Sequence, residues 1–185
     1  MKQKSRRKYK KLMEVSYSAK RKPPIGFFID EKLSGKRVSV LTNEDHSKNY
    51  VVHRGTASVK DWFTDLQMAL GYEGGNRFRH SAKIQRKAEK KYGKENIVTV
   101  GHSLGGRLAE KFGRDTSKVV TFNKAVTPRS IVESYISPKE NQLDLRTKND
   151  PVSVLHKFEN PNRKKLIELP GVHNLIGTHV LSSLK

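Results

Sequence analysis

Residues 101–105 read Gly-His-Ser-Leu-Gly, that is Gly101, His102, Ser103, Leu104 and Gly105. A serine with glycines two positions to either side can be held on a sharp turn that lifts its hydroxyl clear of the backbone. Glycine suits those flanks because a side chain there would collide with neighbouring main chain. The chemistry open to such a serine is attack on an acyl carbon, once a base has taken its proton. Ile97–Val100 in front of the turn are strand-forming types, and Arg107–Arg114 behind it read as helix. A serine at such a strand-to-helix turn is a nucleophile elbow.

A serine nucleophile also needs a base, an acid that orients the base, and donors for the oxyanion. In α/β-hydrolases the acid and then the base follow the serine along the chain. Asp150 lies in Asn149-Asp150-Pro151-Val152, immediately after a predicted strand. Catalytic groups gather at such strand ends in open α/β sheets. Asp144 is the rival acid, but it falls inside the strand. His173 follows Pro170-Gly171-Val172 and precedes the last predicted helix, whereas His179 lies within that helix. His173 is favoured over His179, because a loop position reaches a strand-end serine more freely. His156 follows Asp150 too closely, and His102 abuts the nucleophile and suits a spacer. His46 and His80 read as surface residues. The N–H of Leu104 supplies half of an oxyanion hole. The other donor comes from the loop leaving Tyr50–His53, where Gly55 permits close approach and Thr56 offers an N–H and a hydroxyl.

These groups need elements to hold them. Strands are predicted at Arg37–Leu41, Tyr50–His53, Ile97–Val100, Lys118–Phe122, Leu143–Arg146 and Lys165–Leu169. Helices are predicted at Val59–Leu70, Asn76–Tyr92, Leu104–Phe112 and Leu175–Leu184, with a partly helical connector after Phe122. Strands alternating with helices imply an α/β fold with a mostly parallel sheet, covered by helices on both faces. In residues 1–24 the Lys and Arg residues face a single acid, Glu14, and Pro23-Pro24 close the segment. It reads as a basic segment that is disordered or ordered only against a partner, with the compact α/β domain expected over 25–185.

His53-Arg54-Gly55-Thr56 and Asp61-Trp62-Phe63-Thr64-Asp65 together resemble the Phe-Arg-Gly-Thr/Ser … Asp/Asn-Trp-x-x-Asp segment of the class 3 (fungal-type) lipases. Thr99–Gly106 is similar to their nucleophile segment, Asn149–Val152 to their acid-bearing segment, and His173 stands where their base precedes the last helix. The resemblance implies a trimmed α/β-hydrolase fold. It implies Ser103 as nucleophile, Asp150 as acid, His173 as base, and Thr56 with Leu104 as oxyanion donors. Arg54 and Asp65 would then brace the oxyanion loop, and Trp62 and Phe63 would lie on a candidate lid. Neither a cofactor nor a metal is implied. The chain departs from the family pattern at His53, which replaces the usual apolar residue, and in lacking the family's disulfides.

The composition narrows the rest. The 185 residues carry 38 Lys and Arg against 18 Asp and Glu, a formal net charge of +20. Such a surplus attracts polyanions: anionic membrane phospholipid, nucleic acid or an acidic protein surface. With no cysteine, the chain has no disulfide, zinc–thiolate site or cysteine nucleophile. It contains no apolar run near the ~20 residues of a membrane span, and its basic N-terminus has no apolar stretch behind it. The expected function is a serine esterase acting on acylglycerols or phospholipids. The contrasting expectation is a basic structural or packaging protein, such as a virion-associated one, on the same fold. The expected location is intracellular or virion-associated, with the basic head as a nuclear-targeting candidate.

Overall fold

Seven strands hydrogen-bond in chain order into one sheet: β1 (Phe27–Ile29), β2 (Val38–Asn43), β3 (Asn49–His53), β4 (Ile97–His102), β5 (Lys118–Phe122), β6 (Gln142–Thr147) and β7 (Lys165–Leu169). The computed structural model describes residues 3–18, 20, 22–56, 75–137, 140–163 and 165–170. β1, β2 and β3 pair antiparallel, and β3 through β7 run parallel. All six residues of β4 are buried, as are all six of β6. Central parallel strands covered on both faces show this near-continuous burial.

Alternate residues of the strands feed separate cores. Leu41, Tyr50, Val52, Val98 and Val100 face one side, while Val38, Val40, Val51 and Ile97 face the other. The second side is covered by α2 (Asn76–Tyr92), through Ala88, and by α3 (Leu104–Phe112), through Leu104 and Leu108. α2 stops at Gly93, whose φ of 79° is a left-handed conformation that glycine adopts without strain. α4 (Pro128–Ile136) begins with a capping box, in which Thr127 and Ser130 each accept the other's backbone N–H.

The first side is covered by α1 (Gln3–Tyr17), which corrects the reading of residues 1–24 as a segment outside the domain. Tyr9, Leu12, Met13 and Val15 are buried in the same cluster as Val98, Val100, Val120 and Phe122. The physical reason is amphipathic spacing. Apolar side chains recur on one face of the helix, and Lys4, Arg7 and Lys11 stay exposed on the other. β1, a strand of only three residues, is an edge element that the sequence reading did not include.

A charged cluster sits inside the fold beneath α3. Lys124 Nζ lies 2.8 Å from Glu159 Oε1 and 3.5 Å from Asp144 Oδ2, and it also pairs with Glu110. Lys124 is 3% exposed, and Glu110 is fully buried. Burial alone would pull the Lys124 ammonium down, but the carboxylates of Asp144, Glu110 and Glu159 hold its pKa well above the usual lysine value. Fully buried Arg107 donates to Glu110 (3.0 Å) and to Glu133 of α4 (2.7 Å), tying the two helices together.

Candidate active site

At the end of β4 the chain turns sharply on Ser103, with φ 57° and ψ −128°. A non-glycine residue enters that region at a cost and stays only where its surroundings impose it. The turn is imposed by main-chain bonds. Ser103 N–H donates to the Phe122 carbonyl (3.1 Å), and the Ser103 carbonyl accepts from Gly106 (2.9 Å) and Ala125 (3.1 Å). A Cβ on Gly101 would stand 2.0 Å from the Gly105 carbonyl oxygen, and one on Gly105 would stand 2.1 Å from the His53 carbonyl oxygen. Backbone approach is therefore what demands both glycines. α3 begins directly after the serine, so Leu104 N–H belongs to the orphan donors of a helix N-terminus, where negative charge is favoured.

Arg54, Gly55 and Thr56 leave β3, the parallel neighbour of β4, with His53 opposite Gly101. A Cβ on Gly55 would lie 3.1 Å from Ser103 Cβ and 2.7 Å from the His102 carbonyl oxygen. The loop and the elbow are thus in contact. The loop is gripped from three directions. Gly55 N–H donates to the Tyr17 hydroxyl at 2.9 Å. Arg77 Nη2, near the start of α2, donates to the carbonyls of Arg54 and Gly55, the latter at 2.9 Å. Arg54 N–H donates to the Arg37 carbonyl at 3.0 Å. The Arg54 side chain turns away, donating to the Lys36 carbonyl (3.3 Å) and lying over the Tyr17 ring.

His102 is packed between Tyr17 and Phe122. Its Nδ1 is 2.9 Å from the Tyr17 hydroxyl, and its ring stacks on Phe122 with centroids 5.5 Å apart. Burial pushes the Tyr17 phenol up to about 12, so it stays protonated as a donor. His53 is buried below the loop. Its Nε2 meets Gln85 Oε1 at 3.0 Å, and Gln85 in turn donates to Thr99 Oγ1 at 3.1 Å. Burial pulls the His53 pKa down to about 4, so the imidazole is neutral at physiological pH.

Asp150 follows β6, and β4, β5 and β6 are parallel neighbours, so Ser103 and Asp150 leave the same edge of the sheet. Asp150 is fully buried. Its N–H donates to the Thr147 carbonyl (3.1 Å), and its Oδ2 accepts from Ser153 N–H (2.7 Å). The rival Asp144 lies within β6, where it accepts from Thr121 (2.6 Å) and Gln142 (2.8 Å) beside Lys124. His156 Nε2 lies 3.0 Å from Arg146 Nη1. His173, His179, Trp62, Phe63 and Asp65 lie outside the described residues, as do the helices expected over 59–70 and 175–184.

Two residues at this site escaped the sequence reading. Tyr17 was hidden in the basic head, although Tyr9, Leu12, Met13 and Ser16 mark one helix face. Arg77 is one of several basic residues along α2, and nothing in its local sequence separates it from Arg79.

The comparisons agree with this architecture. A family model described as a Tle-like phospholipase domain matches residues 17–149. No curated protein matches the chain. Among solved structures, the chain is similar to a triacylglycerol lipase from Penicillium expansum, at 16% identity and a TM-score of 0.58, over 96% of this chain and 82% of that one. It is likewise similar to a lipase–propeptide complex from Rhizomucor miehei, at 16% identity and a TM-score of 0.57, over 90% of this chain and 67% of that one. These likenesses show an α/β-hydrolase fold of the fungal lipase type.

Proposed function

Because the chain belongs to the Tle-like phospholipase domain family, with the fold of α/β ester hydrolases, we propose that it cleaves carboxylic esters of acylglycerols or phospholipids through Ser103. Ser103 Oγ attacks the ester carbonyl while His173 takes the hydroxyl proton. Asp150 holds the imidazole and stabilises the imidazolium that forms. The N–H groups of Thr56 and Leu104 receive the developing oxyanion. The tetrahedral intermediate collapses, His173 passes its proton to the departing alcohol, and an acyl-enzyme remains. Water, deprotonated by His173, then attacks that acyl group and releases the fatty acid, returning the proton to Ser103.

The observation that carries this reading is the strained φ of Ser103 at a helix N-terminus, in contact with the Gly55 loop. Strain of that kind clusters at functional sites, where the surrounding structure imposes it. The test is covalent labelling by a fluorophosphonate probe, with hydrolysis of short- and long-chain esters and of phospholipids in parallel. Wild type should label and turn over, and Ser103→Ala should do neither. Equal labelling of both proteins would overturn the assignment.

The charge supports a second element of the reading. Lys4, Arg7 and Lys11 of α1 are exposed, as are Arg79, Lys83, Arg86, Lys87, Lys90 and Lys91 of α2. These residues concentrate the protein near anionic lipid, where each basic residue close to the surface contributes about 1 kcal/mol. Among the described residues no helix is long and apolar enough to cross a membrane.

A further inference from the structure

We propose that Arg77 is a positioning residue that sets and polarises the oxyanion donor of Thr56. This inference rests on the reading of Thr56 and Leu104 as the oxyanion hole.

The argument begins with peptide geometry. A trans peptide is planar, and its carbonyl and N–H point in opposite directions. The carbonyl of Gly55 and the N–H of Thr56 belong to one peptide unit. Arg77 Nη2 donates to that carbonyl at 2.9 Å, so the orientation of Thr56 N–H follows from where Arg77 stands. The preceding unit is pinned at both ends. Its Arg54 carbonyl also accepts from Arg77 Nη2, and its Gly55 N–H donates to the Tyr17 hydroxyl at 2.9 Å. One nitrogen with two protons thus holds two consecutive carbonyls, and Tyr17 holds the N–H between them. Gly55 has no side chain to stiffen the loop by packing, and a Cβ there would strike Tyr17 Oη at 2.3 Å. The grip therefore comes from these bonds.

Charge adds a second effect. A guanidinium bound to an amide oxygen draws electron density toward that oxygen. The amide N–H at the other end becomes a stronger donor, as expected where hydrogen bonds share a polarisable unit. The gain is largest when negative charge develops opposite the N–H, which is the moment the ester carbonyl becomes tetrahedral.

The cost of placing Arg77 here points the same way. It stands in the first turn of α2, the end of a helix that disfavours positive charge, and that turn holds no acidic residue. The residue is half-buried, and desolvation, against an opposing pull from Tyr17 and with the like charges of Arg37 and Arg54, brings its pKa down to about 10. Among the described residues no carboxylate pairs with it. A folding role alone would be served as well by a neutral donor.

The test compares Arg77→Met, Arg77→Gln and Arg77→Lys with wild type and Ser103→Ala, using p-nitrophenyl butyrate as a soluble short ester. Thermal unfolding identifies the folded fraction, and kcat is taken per folded molecule. Arg77→Met removes both bonds and should lower kcat about 10- to 100-fold, a loss like that of a weakened oxyanion donor. KM should stay within about twofold, because ground-state binding does not use the N–H in this way. Arg77→Gln keeps a donor without charge and should fall between. Arg77→Lys keeps the charge and should recover part of the loss. Should Arg77→Met fail to fold, Arg77→Gln against Arg77→Lys still separates charge from packing. Wild-type kcat in the folded Met or Gln variant, with Ser103→Ala inactive, overturns the role of Arg77 and leaves the esterase reading intact. An active Ser103→Ala overturns the esterase reading itself.

Discussion

At the residue scale, the site is built from side chains and peptides whose conformations are costly in isolation. Ser103 carries a positive φ, Arg77 is a half-buried cation at the wrong end of a helix, and His53 is a buried imidazole. His53 gives a prediction with a definite sign. Its folded pKa is lowered to about 4, against 6.5 for an unperturbed histidine. The unfolded chain takes up a proton as pH falls below 6.5, and the folded chain resists until near 4. Stability contributed by the neutral imidazole is present above pH 6.5 and lost as pH falls toward 4, at most ~3 kcal/mol. Urea unfolding at pH 7 and pH 4 should show His53→Gln losing less stability over that interval than wild type does. Equal losses would mean that other groups carry the whole acid response. The elbow itself was legible from Gly101, Ser103 and Gly105: the clash that demands Gly101 is with Gly105 and Gly106, close in the chain, whereas the one that demands Gly105 is with His53 of β3 and is seen only in the folded sheet. Tyr17 and Arg77 were not legible, because the groups they grip, the Gly55 loop and for Tyr17 also His102, lie more than twenty positions away in the chain.

At the element scale, periodicity located most of the framework. α2 at Asn76–Tyr92 and α3 at Leu104–Phe112 have the expected bounds, and the strands around the elbow fall within a residue or two of their expected ends. α1 was misread because its net charge was weighed above its spacing. Four buried apolar side chains on a 15-residue helix suffice to dock it when the sheet offers an apolar face. Its docking implies that the helix is part of the folded core. Leu12, fully buried, should cost about 2–5 kcal/mol on substitution to Ala, while Lys11→Ala on the exposed face should stay within about 0.5 kcal/mol. Chemical denaturation of both variants tests this, and a negligible effect of Leu12→Ala would mean that α1 is dispensable to the sheet. Since Tyr17 ends the same helix, damage to α1 should also reach the oxyanion loop.

At the scale of the whole molecule, the question is what the charge of +20 does. The basic face of α1 and the basic face of α2 cover opposite sides of one sheet, as the alternating strand residues require. A single flat membrane cannot touch both at once. On the proposed reading the charge acts as a field around the protein, one that attracts anionic surfaces and is screened by salt within about 10 Å at 0.1 M. Neutralising Lys4, Arg7 and Lys11, or Lys83, Arg86 and Lys87, should each weaken co-sedimentation with phosphatidylserine vesicles in part, and the two sets together should weaken it more. If one set alone abolished binding, the charge would be working through one docking face instead.

The amino-acid sequence by itself determined the elbow, the order of the motifs and the alternation of strand and helix. Those features follow from local sterics and from the periods of 2 and 3.6 along the chain. Only the tertiary structure decided which groups grip the Gly55 loop and which charges are buried together. Tyr17 and Gly55 are 38 positions apart, Arg77 and Arg54 are 23 apart, and Lys124 and Glu159 are 35 apart. Contacts of that span exist only after the sheet has brought distant segments together, so no pattern of neighbouring residues encodes them.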